Sequence, residues 1–376
     1  MSQADSAFDA LARDLMSAFE AGGTAPWSEA RFDDLALRVF GWQWAHNPVY
    51  RRFCEGRGAT PDTVRSWTEM PAVPTSAFKV LDLAPGPVEA TFRTSGTSRG
   101  GERRGRHGVR SLALYRASAL PTLRAHLAPD GERLRILSLI PSAAAVPESS
   151  LARMMAFAEE EIGDGRGGSF ARADFSLDLA GFARAAAQAA EEGVAVWVAG
   201  TAFAFVHLID ARARGEVPSV ALPPGARVME TGGFKGRSRE VSKPELYDGI
   251  GAALGVGVAD IVNEYGMTEL LSQFYDGVAG STDRPAPAER WHRGPPWLRT
   301  RVVDPTTLAP VPEGRKGLLL HVDLANLGSV AAVLTEDVGV ARDGAIRVLG
   351  RAEGAEPRGC SLTLEELLAV RSPELG

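Results

Sequence analysis

The sequence predicts an α/β protein with a largely parallel sheet and a final part rich in β-hairpins. Three observations carry that reading. Apolar runs of strand length (RLRILSLI at 133–140, VAVWVAGT at 194–201, ARVMETGG at 226–233, ADIVNEYG at 259–266) alternate with helix-length segments such as AGFARAAAQAAEEG at 180–193. Strands separated by helices pair in parallel, because a crossover helix returns the chain to start each strand at the same end of the sheet. From residue 297 the texture changes, and WLRTRVVDP, GLLLHVDL and GAIRVLG are strands separated only by turns. The first 70 residues are instead mainly helical in pattern, with RFDDLALRVFGWQWAHN carrying apolar residues at helical spacing.

The remaining elements follow in order. Pro71, Pro74, Pro85 and Pro87 punctuate a loop-rich stretch. VEATFRT (88–94) reads as a strand, and RSLALYRASALPTLRAHL (110–127) as a helix in which Pro121 marks a break or a new start. ESSLARMMAFAEEEI (148–162) reads as a helix with a serine cap, followed by an exposed acidic, glycine-rich loop over 159–168. The helix at 180–193 ends on a glycine, and AFAFVHLIDARARG is a further helix. This texture divides the chain into 1–87, a helical N-terminal region; 88–296, an α/β core; and 297–376, a β-rich part with a short tail.

Composition narrows the function. A chain of 376 residues with 45% hydrophobic and 23% charged residues has material for a sizeable core. Its net charge of -6 argues against a general nucleic-acid binder. No run approaches the roughly 20 apolar residues of a membrane span, and the polar, acidic start lacks a signal-peptide pattern, so the expected location is cytoplasmic. Cys54 and Cys360 form no CxxC, which argues against a thiolate zinc site. Only Lys79, Lys235, Lys243 and Lys316 are lysines among 41 basic residues. A lysine kept in so arginine-biased a chain suits a place that needs a compact point charge.

The chemistry concentrates in FRTSGTSRGGERRGRH (92–107), which joins four glycines, the hydroxyls of Thr94, Ser95, Thr97 and Ser98, and five arginines. Backbone N–H groups near Gly96, Gly100 and Gly101 can approach an anion closely, and Arg103, Arg104 and Arg106 add charge, which suits a phosphate-binding loop. Two other patterns compete. GDGRGG (163–168) fits GxGxxG but follows an acidic helix rather than a strand, so the dinucleotide-binding context is missing. GTSRG (96–100) fits the nucleophile elbow of serine hydrolases, with Ser98 as nucleophile and Asp260 and His292 completing the chain order. The second anion-handling candidate is NEYGMTELLSQFY (263–275). Glu264 and Glu269 are hard oxygen ligands of the kind Mg²⁺ accepts, and Tyr265 offers a flat face to a base. Alone, this stretch reads equally as a loop entering a helix capped by Thr268.

Together these segments resemble the ANL adenylating enzymes, which activate carboxylic acids with ATP. TSGTSRGG is similar to their phosphate loop and YGMTE to their YGxTE motif. LTEDVG (334–339) resembles the segment whose aspartate holds the ribose, VVDPTTLAPVPEGRKGLLLHVDL (302–324) the hairpin before it, and LGR (349–351) the hinge motif. NPVYRRFC, PAVPTSAFK, ETGGFKGRSRE, NEYGMTELLSQFY and EPRGCSL are together similar to the acyl-protein synthetase family, the LuxE-type fatty acid–protein ligases, over about residues 45 to 366.

The resemblance implies an ANL-type N-terminal adenylation fold with mixed and parallel sheets. It implies that a carboxylic acid, a fatty acid in that family, reacts with ATP and Mg²⁺ to give acyl-AMP and pyrophosphate. Residue by residue, Thr94, Ser95, Gly96 and Thr97 would cradle phosphates, Thr268 would contact the α-phosphate, and Glu269 would hold Mg²⁺. Gly232, Gly233 and Tyr265 would line the adenine, with Asp337 and Arg351 on the ribose. Cys360 matches the cysteine that takes the acyl group before it passes to a partner such as an acyl reductase or a carrier protein. Adjacent Arg358 would lower a thiol pKa of about 8.5. The rival route passes acyl-AMP directly to CoA, a carrier thiol or an amine. Only some 25 residues follow LGR, so the usual mobile C-terminal domain with its catalytic lysine is expected to be lacking. Lys235 or a partner would then supply that charge.

Overall fold

A computed structural model describes residues 3–22, 25–94, 104–218, 220–233, 238–352 and 358–369. The described chain forms two compact units. The first takes in Met1–Pro121, Met267–Ser272 and Gly294–Gly376; the second takes in Thr122–Gly266 and Gln273–Arg293. The division at 87/88 and 296/297 follows sequence texture, whereas these units follow contact, and the two cut the chain at different places.

The first unit begins with α1 (Gln3–Gly22), α2 (Glu29–His46) and α3 (Pro48–Glu55). Ser28 caps α2 by accepting the amide of Arg31 at 3.2 Å, and Asn47 caps α3 through the amide of Tyr50 at 3.0 Å. Each bond satisfies an N–H that the helix leaves without a partner. A short strand β1 (Val73–Pro74), helix α4 (Ala77–Val80) and the hairpin β2 (Ala90–Arg93) and β3 (Arg106–Val109) follow. Helix α5 (Leu112–Leu127), whose residues from Thr122 on belong to the second unit, runs unbroken through Pro121, where the sequence predicts a break or new start. Burial of Ala119, Leu123 and Leu127 outweighs the one backbone bond that proline removes.

The second unit contains β4 (Arg135–Ser138), α6 (Ser150–Glu161), β5 (Gly168–Ser169), α7 (Leu179–Glu192), β6 (Val196–Thr201), α8 (Ala202–Ala213), β7 (Arg227–Thr231), α9 (Lys243–Leu254), β8 (Ile261–Tyr265), β9 (Phe274–Tyr275) and β10 (His292–Arg293). Its strands lie in the order β10-β9-β8-β7-β6-β4-β5. β5, β4, β6, β7 and β8 are parallel, and β9 and β10 are added antiparallel. All six residues of β6 and all five of β7 are buried, as expected of parallel strands covered on both faces. Ser149 caps α6 and Gly193, at φ 65°, ends α7, both as the sequence predicts. GDGRGG leads from α6 to the edge strand β5. A Cβ on Gly167 would stand 2.2 Å from the carbonyl oxygen of Ile136, so that glycine serves strand approach.

The chain re-enters the first unit as the antiparallel meander β11 (Leu298–Val303), β12 (Gly317–Asp323), β13 (Ala332–Arg342) and β14 (Ala345–Arg351), with β1 pairing β13 in parallel. A 3₁₀ turn, Leu324–Gly328, joins β12 to β13, and α10 (Arg358–Ala369) completes the described chain. The α/β class, the parallel strands and the hairpin-rich C-terminal part are those the sequence predicts. The helix offered as one reading of MTELLSQFY does not form; residues 267–272 are an irregular turn ahead of β9.

Candidate active site

In the second unit the predicted residues sit at the carboxyl ends of neighbouring parallel strands. Thr231 ends β7 opposite Glu264 of β8, and the threonine hydroxyl donates to the Glu264 carboxylate. Gly232, at φ 68°, turns the chain directly beyond β7, and Gly233 follows. Tyr265 ends β8 with its ring centroid 5.7 Å from that of Phe274 and 6.2 Å from that of His292. At Gly266 a Cβ would lie 2.4 Å from Oε1 of Glu264, so any side chain there would displace that carboxylate. Carboxyl ends of parallel strands are where α/β sheets receive ligands, because loops splay apart there and leave a crevice.

In the first unit, Asp337 and Arg351 are direct cross-strand partners on β13 and β14, with Arg351 Nε 3.3 Å from Asp337 Oδ1. Glu269 shares their field. Burial pushes its carboxyl up to about 7, with Asp337 and Glu336 acting in the same direction and Arg351 against it. The backbone of this segment is held by buried side chains. Asn326 Nδ2 donates to the carbonyl of Glu269 at 2.7 Å, and Asp323 accepts the amides of Leu271 and Ser272, both at 2.9 Å. His107 Nδ1 lies 2.8 Å from the carbonyl of Thr268. Thr94, at the base of the predicted phosphate loop, pairs with Gly105: its amide donates to the Gly105 carbonyl at 3.0 Å, and its hydroxyl accepts the Gly105 amide at 2.9 Å. Arg104 is exposed and folds back onto this base, its Nε donating to the carbonyl of Thr94 at 2.6 Å.

Cys360 lies in the first turns of α10 and is buried, with Sγ 3.9 Å from the carbonyl of Thr335. Cys54, packed in α3, is also buried, and burial pushes its thiol up to about 12. Asp260 spends a carboxylate oxygen on the amide of Gly257 at 3.0 Å. His292 bonds through Nε2 to Asn263 at 2.6 Å, and its Nδ1 has no hydrogen bond among the described residues. The Asp–His pair that a serine hydrolase needs is therefore missing from these two residues. Ser95, Gly96, Thr97, Ser98, Arg103 and Lys235 lie outside the described residues, as does the side chain of Arg358.

Sequence reasoning missed His107, Asp323 and Asn326. The signal for the last two was present: an aspartate and an asparagine inside the apolar run GLLLHVDLANLGSVAAVL. Buried polar groups in such a run need partners, and partners imply a role. Among the described residues no group of three or more His, Cys, Asp or Glu side chains could hold a metal. A single buried carboxylate such as Glu269 still fits Mg²⁺, which keeps several waters and takes its other ligands from substrate phosphates.

The family model described as acyl-protein synthetase, LuxE, matches residues 172–369, more than half of the chain. A long-chain-fatty-acid–luciferin-component ligase of Vibrio harveyi is 20% identical over 375 residues, covering 93% of each chain. The ligase of the same name from Aliivibrio fischeri is 28% identical over 83 residues, 20% of this chain. Among solved structures, 2-hydroxyisobutyryl-CoA ligase in its postadenylation state, bound to 2-HIB-AMP, superposes with a TM-score of 0.59 at 19% identity. That match covers 88% of this chain and 70% of the other, and it shows a shared adenylating-enzyme fold.

Proposed function

The chain belongs to the acyl-protein synthetase (LuxE) family of ligases, and from that premise we propose that it activates a fatty acid with ATP and passes the acyl group to a thiol. In the first step a carboxylate oxygen bonds to the α-phosphorus of ATP, and the bond to the β-phosphate oxygen breaks. Acyl-AMP and pyrophosphate result. Both reactants are anionic, so the protein's task is to neutralise charge and align the two. Thr94, Ser95, Gly96 and Thr97 cradle phosphates, Thr268 contacts the α-phosphate, and Gly232, Gly233 and Tyr265 line the adenine. Asp337 and Arg351 hold the ribose, and Lys235 supplies the positive charge near the reacting oxygens. Mg²⁺, held through Glu269, would neutralise charge on the phosphate oxygens. In the second step the Cys360 thiolate attacks the acyl carbonyl, AMP leaves with the mixed-anhydride oxygen, and a thioester forms on the enzyme. An acyl-accepting partner protein then takes the group.

One observation carries this reading. Glu269, Asp337 and Arg351 come from three separate sequence segments matched independently to adenylating motifs, yet they share one electrostatic neighbourhood in the first unit. The burial of Cys360 favours one second reading, in which acyl-AMP goes directly to CoA, a carrier thiol or an amine.

The test is pyrophosphate exchange into ATP, dependent on added acid, over aliphatic acids of graded length and several aryl acids. Exchange with long-chain acids supports the reading, and absence of exchange with every acid in folded protein sinks it. Cys360→Ser then separates the two acceptors, because direct ligation survives that change. No helix among the described residues is long and apolar enough to cross a membrane.

A further inference from the structure

We propose that His107 is a positioning residue: a neutral imidazole strut that fixes the stalk of the phosphate loop to the backbone of Thr268, and so sets the spacing of the two segments that grip the nucleotide. This inference rests on the adenylation reading above and adds to it a residue to which no motif assigns a role.

The geometry of the strut is closed at both ends. His107 lies on β3 opposite Phe92 of β2, two residues beyond Gly105. Gly105 is locked to Thr94 by two hydrogen bonds, one to its amide and one to its hydroxyl. The ring therefore stands on the rigid base of the loop that begins at Thr94. Its Nδ1 meets the carbonyl of Thr268 at 2.8 Å, and its Nε2 meets the hydroxyl of Ser329 at 2.8 Å. A carbonyl can only accept, so Nδ1 carries the proton; burial disfavours the imidazolium, so Nε2 is left bare and accepts from Ser329. Phe78 closes the ring edge-on, its centroid 5.7 Å away. With every polar atom of a fully buried ring satisfied, the imidazole has one tautomer and one orientation.

The far end of the strut is equally fixed. Ser329 follows the 3₁₀ turn whose Asn326, with Asp323 at the end of β12, holds Glu269, Leu271 and Ser272. That turn is itself anchored by Gln43, whose Nε2 donates to the carbonyls of Asn326 and Leu327 at 2.9 and 3.2 Å. Among the described residues of this unit, His107 joins the Thr94 stalk directly to the Thr268 backbone. A lost strut would let the two segments drift by a fraction of an ångström. Displacements near 1 Å cost reaction rate by about 100-fold because the near-attack geometry is lost.

Two substitutions separate the ends of the strut. In His107→Asn the side-chain amide nitrogen occupies the place of Nδ1, so the bond to Thr268 is kept and that to Ser329 is lost. In His107→Gln the amide reaches the place of Nε2, so Ser329 is kept and Thr268 is released. Acid-dependent pyrophosphate exchange and amide hydrogen exchange over 104–107 and 267–272 would be measured on wild type and both variants. H107Q should lose about 10- to 100-fold in exchange kcat, with an unchanged KM for the acid and faster amide exchange in both segments. H107N should stay close to wild type in kcat and in amide exchange, even if the two variants melt at the same temperature. Equal activity and equal amide protection in the two variants would overturn the proposal while leaving adenylation intact. Losses that track melting temperature in both variants would also overturn it, since they mark a merely structural histidine. A wild-type protein with no exchange would overturn the adenylation reading and, with it, the functional half of this inference; amide protection would still decide whether the strut exists.

Discussion

The thiol of Cys360 donates to the carbonyl of Thr335 across 3.9 Å, and the hydroxyl of the same threonine accepts the amide of Asp337 at 3.0 Å. One residue of β13 thus connects the proposed acyl acceptor to the proposed ribose ligand. The connection is closed to reagents, because Cys360 is only 1% exposed. A nucleophile must meet its electrophile, so the start of α10 has to part from Thr335 before a thioester can form.

Cys360→Ser is expected to abolish the covalent acyl-enzyme while leaving pyrophosphate exchange within about threefold of wild type, because the serine removes only the second step. Mass spectrometry after incubation with acid and MgATP reads the first, and isotope exchange the second. Both cysteines of the resting protein should resist thiol reagents. Adding acid and MgATP should speed labelling at Cys360 and not at Cys54. Full acyl transfer by the serine variant would transfer the role of acceptor to an external thiol or amine.

Gly359→Ala tests the docking of α10 without touching the thiol. A Cβ on Gly359 would lie 2.6 Å from Leu308 Cδ2 and 2.9 Å from the carbonyl oxygen of Pro305. Its amide also donates to that carbonyl at 2.9 Å, so the helix start cannot simply slide away. The expected outcome is faster labelling of Cys360 in the resting protein, with a loss of stability of about 1–3 kcal/mol from overpacking. Labelling kinetics and denaturant titration check both, and unchanged labelling would show that the helix start absorbs the methyl group in place.

Two buried groups should give stability opposite slopes with pH. Burial pushes the Glu230 carboxyl up to about 7 from 4.5. The native state then holds a proton that the unfolded chain has released, so the contribution of Glu230 is full below 4.5 and is lost as pH rises through 7. His321, also buried, falls from 6.5 to about 3, so its contribution is full above 6.5 and is lost as pH falls toward 3. Glu230→Gln is therefore expected to be more stable than wild type at pH 8, by about 1–3 kcal/mol. His321→Gln should flatten the fall in stability between pH 6.5 and 4.5. Denaturant midpoints from pH 4.5 to 8 measure both, and parallel curves for wild type and E230Q would contradict the assignment.

The sequence carried the strands of the second unit clearly, because fully buried parallel strands are continuous apolar runs bounded by helices and glycines. The family resemblance offered Asp337 and Arg351 as ribose candidates, although nothing in their spacing said that they face each other across β13 and β14. That register depends on the turn at Asp343–Gly344, where both residues take positive φ, and on the shift between Val338 and Gly339. The segment after Tyr265 was ambiguous for a physical reason. MTELLSQFY has helix-compatible residues, and its irregular course is imposed by Asp323, Asn326 and His107, which lie far away in sequence. Local propensity cannot encode a conformation that remote side chains hold. The same remoteness hid His107, a single histidine whose meaning comes from a carbonyl 161 residues away.

Asp323 gives the strongest test of that imposed course. Its carboxylate is buried and accepts four hydrogen bonds, from the amides of Leu271, Ser272 and Ala325 and from the hydroxyl of Ser272, at 2.7 to 3.0 Å. Every partner is a donor, so an asparagine at this place must turn its NH₂ toward at least one N–H. Asp323→Asn is expected to cost about 2–4 kcal/mol in unfolding free energy, since buried donors lose a charged acceptor. Asp323→Ala removes all four bonds and should cost more. If the carboxylate serves the turn at 267–272, D323N purified in folded form should lose exchange activity through kcat, and amide exchange at Leu271 and Ser272 should rise while that of the second unit's β6 and β7 stays unchanged. A uniform rise across both units would mean that Asp323 supports global stability alone, and the link from this carboxylate to the placement of Thr268 and Glu269 would fall.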